Sequence, residues 1–80
     1  MPPECQLFGT PGCQLCEIAE AVLLPFAIEH GLMLELIDIS EDEQLFERYE
    51  LCIPVLRRVD TGEELEWPFD APQVASFLSR

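Results

Sequence analysis

The chain has 80 residues, enough for one small domain (residues 1–80) and too few for a second. Sixteen acidic side chains against four arginines and no lysine give a net charge of −12, which argues against partners such as nucleic acid or anionic membrane. No apolar run approaches the ~20 residues that span a bilayer, and the first residues lack the features of a signal peptide. Because apolar residues make up 49% of the chain, we expect a packed core in spite of the charge.

The first half of the chain predicts a strand, a turn and a long helix. Residues 5–8 are short but typical of a strand, and Gly and Pro in residues 9–12 mark the turn that ends it. Apolar residues at spacings of three and four then predict a helix over residues 13–30. Pro25 should kink or interrupt this helix because it removes a backbone donor, and Gly31 suits the helix end.

The middle of the chain predicts a buried strand followed by a short helix. Residues 32–39 are almost continuously apolar, which indicates a central strand covered on both faces. Ser40 and Glu43 match a capping box, so Ser40 should be the N-cap of the next helix. This helix should run to about Tyr49 and bury apolar side chains that include Phe46.

The last third predicts a hairpin and a final helix. Residues 55–59 and 63–67 are the two strands, and residues 60–62 form the turn between them. Asp70 can cap a helix with Pro72 in its first turn. The order β-α-β-α-β-β-α predicts an α/β fold, in which a parallel crossover and an antiparallel hairpin form a small mixed sheet with helices on both faces.

Two of the four cysteines form a closely spaced pair, Cys13-Gln14-Leu15-Cys16, where the first loop becomes the first helix. Residues three apart on a helix share a face, so the two sulfurs can close a disulfide after a modest adjustment. The free N–H groups and positive dipole at a helix start stabilise a thiolate on Cys13. Cys13 is therefore the expected nucleophile and Cys16 the resolving thiol. Pro11 and Gly12 position the turn and admit a substrate backbone.

Other interpretations of the cysteines stay open. The pair could be two small core residues or half of a zinc site, although structural zinc needs four ligands and only Cys5, Cys52 and His30 remain as candidates. We expect no metal. Cys5 and Cys52 are more simply buried apolar residues, and Cys52 could face the site. His30 is most simply a cation at the helix end or a surface residue. Without an export signal we expect a cytoplasmic protein, in which paired thiols usually serve redox chemistry or metal binding.

A proline interrupts the apolar stretch Leu-Cys-Ile-Pro-Val-Leu at residues 51–56. Proline cannot donate to a sheet ladder, so Pro54 is awkward in a central strand. It is explained if it opens the third strand at a cis peptide bond after Ile53. An ordinary trans proline at a strand end is the default from the residues alone, because only ~5–6% of such bonds are cis.

These residues together resemble the glutaredoxin-like branch of the thioredoxin superfamily. Residues 8–16, Phe-Gly-Thr-Pro-Gly-Cys-Gln-Leu-Cys, are similar to the glutaredoxin active-site segment, and residues 53–55, Ile-Pro-Val, to its cis-proline motif. The most similar group is that of compact bacterial glutaredoxin-like proteins with C-x-L-C sites. The resemblance implies a thioredoxin-like, four-stranded mixed sheet, with Pro54 against the dithiol and the Ile53 backbone bonded to an incoming peptide or glutathione.

Departures from the glutaredoxin pattern bear on the substrate. Thr10 stands where glutaredoxins often carry a lysine for a glutathione carboxylate, and the usual Gly-Gly pair is missing after the hairpin, although Asp70 could still lie near the usual γ-glutamyl anchor. Arg57 or Arg58 could fold back to replace that lysine. The net charge should repel anionic glutathione, so a disulfide-containing protein with a basic patch fits this surface better.

The resemblance and the residues predict a monomeric thiol–disulfide oxidoreductase that reduces protein or glutathione-mixed disulfides. No cofactor is expected to be bound, and glutathione is the co-substrate that the resemblance implies. The alternative from another class is a non-enzymatic protein. It would be an iron–sulfur or metal carrier that uses Cys13 with glutathione, or a redox-silent docking domain.

Overall fold

The computed structural model describes residues 3–80, and its elements follow the predicted order. The strands are β1 (Glu4–Gly9), β2 (Met33–Asp38), β3 (Val55–Arg58) and β4 (Glu64–Glu66). The helices are α1 (Gln14–His30), α2 (Glu43–Tyr49) and α3 (Ala71–Leu78), with a 3-10 turn at Ile39–Glu41. No helix within residues 3–80 is long and apolar enough to cross a bilayer.

The four strands form one mixed sheet in the order β2-β1-β3-β4. β1 pairs in parallel with β2 and antiparallel with β3, which in turn pairs antiparallel with β4. The predicted crossover and hairpin are therefore confirmed. The prediction of a central β2 is wrong, because β2 lies at an edge and leaves Met33 and Leu36 more than half exposed. β1 is central instead, since it hydrogen-bonds to strands on both sides.

Alternate residues of the central strands supply two separate cores. Leu7 and Leu56 belong to a larger cluster with side chains from α1 and α3, whereas Phe8 and Val55 belong to a smaller one with Tyr49 of α2. Successive side chains of a strand point to opposite faces, so α1 and α3 cover one face of the sheet and α2 covers the other. This arrangement confirms the predicted fold class.

Helix α1 carries the paired cysteines at its start and continues through Pro25, so of the two predicted effects, a kink or an interruption, the interruption is wrong. Ala19 and Leu23 just before the proline are fully buried, and Phe26 just after it packs against the same cluster. This packing on both sides offsets the one missing backbone bond. The helix ends as predicted at Gly31, whose φ of 69° is left-handed.

The predicted capping box at Ser40 is wrong. Asp38 caps the 3-10 turn by accepting a hydrogen bond from the Ser40 backbone at 2.9 Å. Asp42 caps α2 by accepting from the backbone N–H groups of Gln44 and Leu45. The Ser40 hydroxyl instead donates to the Asp38 carboxylate at 2.6 Å. Phe46, expected to be buried, is 42% exposed.

The C-terminal helix is fixed at both ends. Asp70 caps its start in a reciprocal capping box with Gln73, which confirms the predicted cap. Near its end, the buried guanidinium of Arg58 donates to the carbonyl oxygens of Phe77 and Arg80 at 2.9 and 3.0 Å. The same guanidinium donates to both carboxylate oxygens of Asp60. Arg58 is therefore a structural anchor and cannot be the cation that replaces the missing lysine.

Candidate active site

The paired cysteines form a disulfide at the start of α1. Their Cα atoms are 5.2 Å apart, and both side chains are half-buried. Cys13 is the N-cap of the helix, and its Sγ accepts a hydrogen bond from the Cys16 backbone N–H at 3.1 Å. A sulfur in this position receives both a backbone hydrogen bond and the positive end of the helix dipole. Both effects stabilise a thiolate on Cys13 once the disulfide is reduced.

The loop between β1 and α1 is a tight turn. The Cys13 backbone N–H donates to the carbonyl oxygen of Thr10 at 3.3 Å, which closes the turn around Pro11 and Gly12. Gly12 has a φ of 77°, a conformation that a residue with a side chain rarely adopts. This turn explains why the Pro-Gly pair precedes the first cysteine: it fixes where α1 begins and therefore where Cys13 lies.

A cleft of about 190 Å³ opens beside Cys16, between the ends of β1 and β2. Most of its surface is apolar, and its lining residues are Leu7, Gly9, Thr10, Pro11, Cys16, Leu36, Ile37 and Asp38. The cleft brings together Thr10, Pro11 and Cys16 of the predicted site. Its other members were not predicted, because the sequence indicates the parallel crossover of β1 and β2 but not the register that brings these side chains together.

The remaining predicted binding residues, Ile53, Pro54 and Asp70, do not line this cleft. The Ile53–Pro54 peptide bond is cis, as the resemblance implies, and Pro54 is fully buried. The Pro54 carbonyl accepts from the Trp67 backbone N–H at 3.1 Å, and the Ile53 N–H donates to the Tyr49 carbonyl at 3.1 Å. The carboxylate of Asp70 is engaged in the α3 cap.

The other two cysteines are free thiols with different surroundings. Cys5 is buried in the larger cluster, as expected, and burial raises its pKa to about 11 despite the opposing effect of Arg58. Its thiol therefore stays protonated near neutral pH and is a poor nucleophile. Cys52 is half-buried and packs against the smaller cluster.

The aromatic side chains of His30, Phe69 and Trp67 each have a packing partner in the structure. His30 is in the last turn of α1, as expected, at the opposite end from the dithiol, and its ring lies 5.9 Å from that of Phe26. Phe69 is buried in the core, and Trp67 packs edge-on against it at 5.0 Å. The Trp67–Pro68 bond is also cis, which the sequence did not indicate. Within residues 3–80, no three His, Cys, Asp or Glu side chains are gathered in a way that could hold a metal ion.

A network of polar side chains supports β4 on the α2 side. The Tyr49 hydroxyl donates to the Glu64 carboxylate, and Arg48 lies 3.6 Å from the same carboxylate. Burial and the bond to Glu64 both raise the pKa of Tyr49. The Tyr49 ring stacks on Phe8 with centroids 4.4 Å apart. Since Phe8 immediately precedes Gly9, this network holds the end of β1 from which the active-site loop departs.

A four-stranded mixed sheet between three helices, with a cysteine pair at the first helix start and a cis-proline before the third strand, defines a thioredoxin-like protein. The chain belongs to the glutaredoxin-like domain family (DUF836), whose profile matches residues 4–79. Among functionally curated proteins, none matches this chain.

Two solved structures of similar proteins support this assignment. The crystal structure of target protein XcR50 from X. campestris is 35% identical, with a TM-score of 0.81 over 94% of this chain and 95% of that chain. The solution structure of protein Ne2328 from Nitrosomonas europaea is 30% identical, with a TM-score of 0.83 over 98% of this chain and 93% of that chain. The likeness therefore extends over nearly the full length of each protein.

Proposed function

We propose that this protein is a thiol–disulfide oxidoreductase with Cys13 as nucleophile and Cys16 as resolving thiol. The observation that carries the proposal is the Cys13–Cys16 disulfide at the N-terminus of α1, with the Cys13 sulfur accepting a backbone hydrogen bond. That position favours a reactive thiolate, whereas buried Cys5 is protonated and half-buried Cys52 stands alone. Membership of the glutaredoxin-like family supports the same chemistry.

The reaction transfers two electrons from the dithiol to a substrate disulfide. The Cys13 thiolate attacks one substrate sulfur, the substrate S–S bond breaks, and the departing thiolate takes up a proton. The Cys16 thiol then loses its proton and attacks the Cys13 sulfur of the mixed disulfide. This step releases the second substrate thiol and leaves the Cys13–Cys16 disulfide. An external dithiol, or two molecules of glutathione, restores the reduced enzyme.

The proposed substrate is a protein disulfide near basic residues. Glu17 and Glu20 are exposed on the helix that carries the cysteines, and Asp38 lines the cleft beside Cys16. These carboxylates and the net charge of −12 attract a basic surface and repel anionic glutathione. Glutathione fits better as the reductant than as part of the preferred substrate.

The proposed binding residues fall into two groups, one at the cleft and one outside it. Thr10 and Pro11 would contact the substrate at the cleft. The Ile53 N–H already donates to Tyr49, so a substrate backbone beside Pro54 would donate to the Ile53 carbonyl oxygen. One carboxylate oxygen of Asp70 accepts the hydrogen bond of the α3 cap, so Asp70 would bind substrate only through its other carboxylate oxygen. We also propose that the protein acts as a monomer in the cytoplasm, where protein thiols are held reduced.

The order in which the cysteines react tests the nucleophile. A limiting amount of an alkylating reagent near neutral pH should label Cys13 of the reduced protein before the other three cysteines, as mapped by mass spectrometry. Preferential labelling of Cys5 or Cys52 would contradict the assignment.

Turnover tests the reaction itself. Reduced protein should reduce a protein disulfide, Cys13→Ser should abolish this activity, and Cys16→Ser should accumulate the mixed disulfide with substrate. Cys52→Ser is the matched control and should leave turnover unchanged. A brown preparation would indicate the iron–sulfur carrier instead, and a dithiol that never cycles would indicate a docking domain.

A further inference from the structure

Gly9, the last residue of β1, lies unusually close to the resolving cysteine. A Cβ atom placed on Gly9 would be 2.9 Å from the Cys16 Sγ, closer than Cβ atoms approach other atoms in folded proteins, and 3.2 Å from the Cys16 Cβ, which is a tight contact. The φ of Gly9 is not in the left-handed region, in contrast to those of Gly12, Gly31 and Gly62. Gly9 is therefore required for the space that it leaves rather than for its backbone conformation.

The conflict with a side chain at position 9 depends on the redox state of the pair. In the disulfide, the Cys16 sulfur is bonded to the Cys13 sulfur and cannot turn away. In the dithiol, that bond is absent and rotation about the Cys16 Cα–Cβ bond can move the sulfur. A Cβ on residue 9 would thus oppose the oxidised form more than the reduced form.

We propose that Gly9 is a positioning residue that sets the dithiol–disulfide equilibrium by leaving room for the Cys16 sulfur against the end of β1. The inference rests on the proposed function only in requiring that Cys13 and Cys16 interconvert between the two forms. Gly9→Ala should lower the equilibrium constant for disulfide formation by about tenfold or more, since overpacking by one methyl is felt in close-packed protein. A tenfold change is ~30 mV in the reduction potential, which should become less negative.

Equilibration with a redox buffer measures this shift. Wild type and Gly9→Ala are incubated with dithiothreitol mixtures of defined reduced-to-oxidised ratio, and the disulfide fraction is read from the mass added by a thiol reagent. The protein dithiol gives two electrons and two protons to oxidised dithiothreitol, and the Cys13–Cys16 bond forms as the reagent's disulfide breaks. Gly9→Ala should require a more oxidising mixture for half-conversion.

Gly31→Ala is the matched control. Gly31 has a φ of 69° and open space around a Cβ, so alanine there strains the backbone at the far end of α1 in both redox forms alike. It should lower the midpoint of thermal unfolding without moving the redox equilibrium. Gly9→Ala should lower the thermal-unfolding midpoint more for the oxidised form than for the reduced form. This is expected because unfolding stability and the dithiol–disulfide equilibrium are linked in one thermodynamic cycle.

Each outcome bears on the proposal. An unchanged equilibrium in Gly9→Ala, equal destabilisation of the two forms, or an equal shift in Gly31→Ala would overturn it. If Gly9→Ala folds in neither form, the same substitution is made with Cys16→Ala: recovered folding supports the sulfur as the obstacle, and continued unfolding overturns the proposal. A wild-type protein that never interconverts would instead overturn the proposed function.

Discussion

Replacing Thr10 with lysine should increase activity toward glutathione-mixed disulfides. Thr10 is half-buried in the cleft beside Cys16, where a lysine could pair with a glutathione carboxylate. A hydrogen bond to a charged partner contributes ~1.5–3 kcal/mol, and an exposed ion pair only ~0–1 kcal/mol. Because the cleft is open to solvent, we expect about 1 kcal/mol, or roughly fivefold in kcat/KM for a glutathionylated peptide.

Asp38 limits this gain. Its carboxylate lines the same cleft and would compete for a lysine at position 10, although it also accepts from the Ser40 backbone and hydroxyl at 2.9 and 2.6 Å. Removing its charge as well, in Thr10→Lys with Asp38→Asn, should therefore raise the gain to about tenfold. Added salt should shrink the gain in both variants, since the Debye length falls to ~8 Å at physiological ionic strength.

The assay compares turnover of a glutathionylated peptide with turnover of a protein disulfide. Thr61→Lys is the matched control, because Thr61 lies exposed in the β3–β4 turn and the substitution changes the net charge equally. It should change neither activity appreciably. The reasoning is refuted if wild type already turns over the glutathione adduct faster than the protein disulfide and Thr10→Lys adds nothing.

Two further predictions concern stability. Leu23→Ala should lower the free energy of unfolding by ~2–5 kcal/mol, because it leaves a cavity in the core. Leu24 is exposed, so Leu24→Ala should change that free energy by no more than ~0.5 kcal/mol. Equal losses for the two variants in denaturant unfolding would contradict the described core. Hydrogen bonds from Arg58 lower the pKa of Asp60, so their stabilisation is present above the unfolded value of ~3.9 and lost as pH falls through the folded value. Asp60→Asn should therefore be less stable than wild type at pH 7, and the difference should shrink below about pH 4; a constant difference would exclude this linkage.

The sequence could predict the order of elements but not which strand is central. The apolar run at residues 32–39 indicates burial, yet it does not say how many strands flank it. β1 pairs with both β2 and β3, so β2 lies at an edge of the sheet. Leu32 and Ile39, at the two ends of the run, are buried, while Met33 and Leu36 within it are exposed.

Prediction from local sequence signals also failed where several possible N-cap residues lie close together. Asp38, Ser40 and Asp42 are all good N-cap residues within one short segment, and aspartate and serine are about equally favourable in that position. The start of α2 therefore depends on the path of the chain after β2 rather than on the type of cap residue. At Asp70 no comparable residue competes, and the predicted cap is confirmed.

In the candidate site, the residues that define its chemistry were predictable and those that shape it were not. The spacing of Cys13 and Cys16, and the family pattern around Pro54, are visible in the sequence. The need for glycine at position 9 depends on how closely Cys16 approaches β1, which only the folded structure shows. The anchor formed by Arg58 depends on carbonyl oxygens that lie 19 and 22 residues further along the chain.

Two of the four arginines, Arg58 and Arg80, lie at the end of the sheet away from the dithiol. Arg58 lies opposite Cys5 near the start of β1, and the dithiol follows Gly9 at its end, ~13 Å away at 3.3 Å per residue. Arg58 and Arg80 are also paired with Asp60 and Glu63 at that distant end. Since exposed charges are screened over ~10 Å, these cations do little to offset the carboxylates near the cysteines. Association with a basic substrate should therefore slow as salt is added, whereas reaction with an anionic one should quicken, and stopped-flow rates at several salt concentrations would distinguish the two.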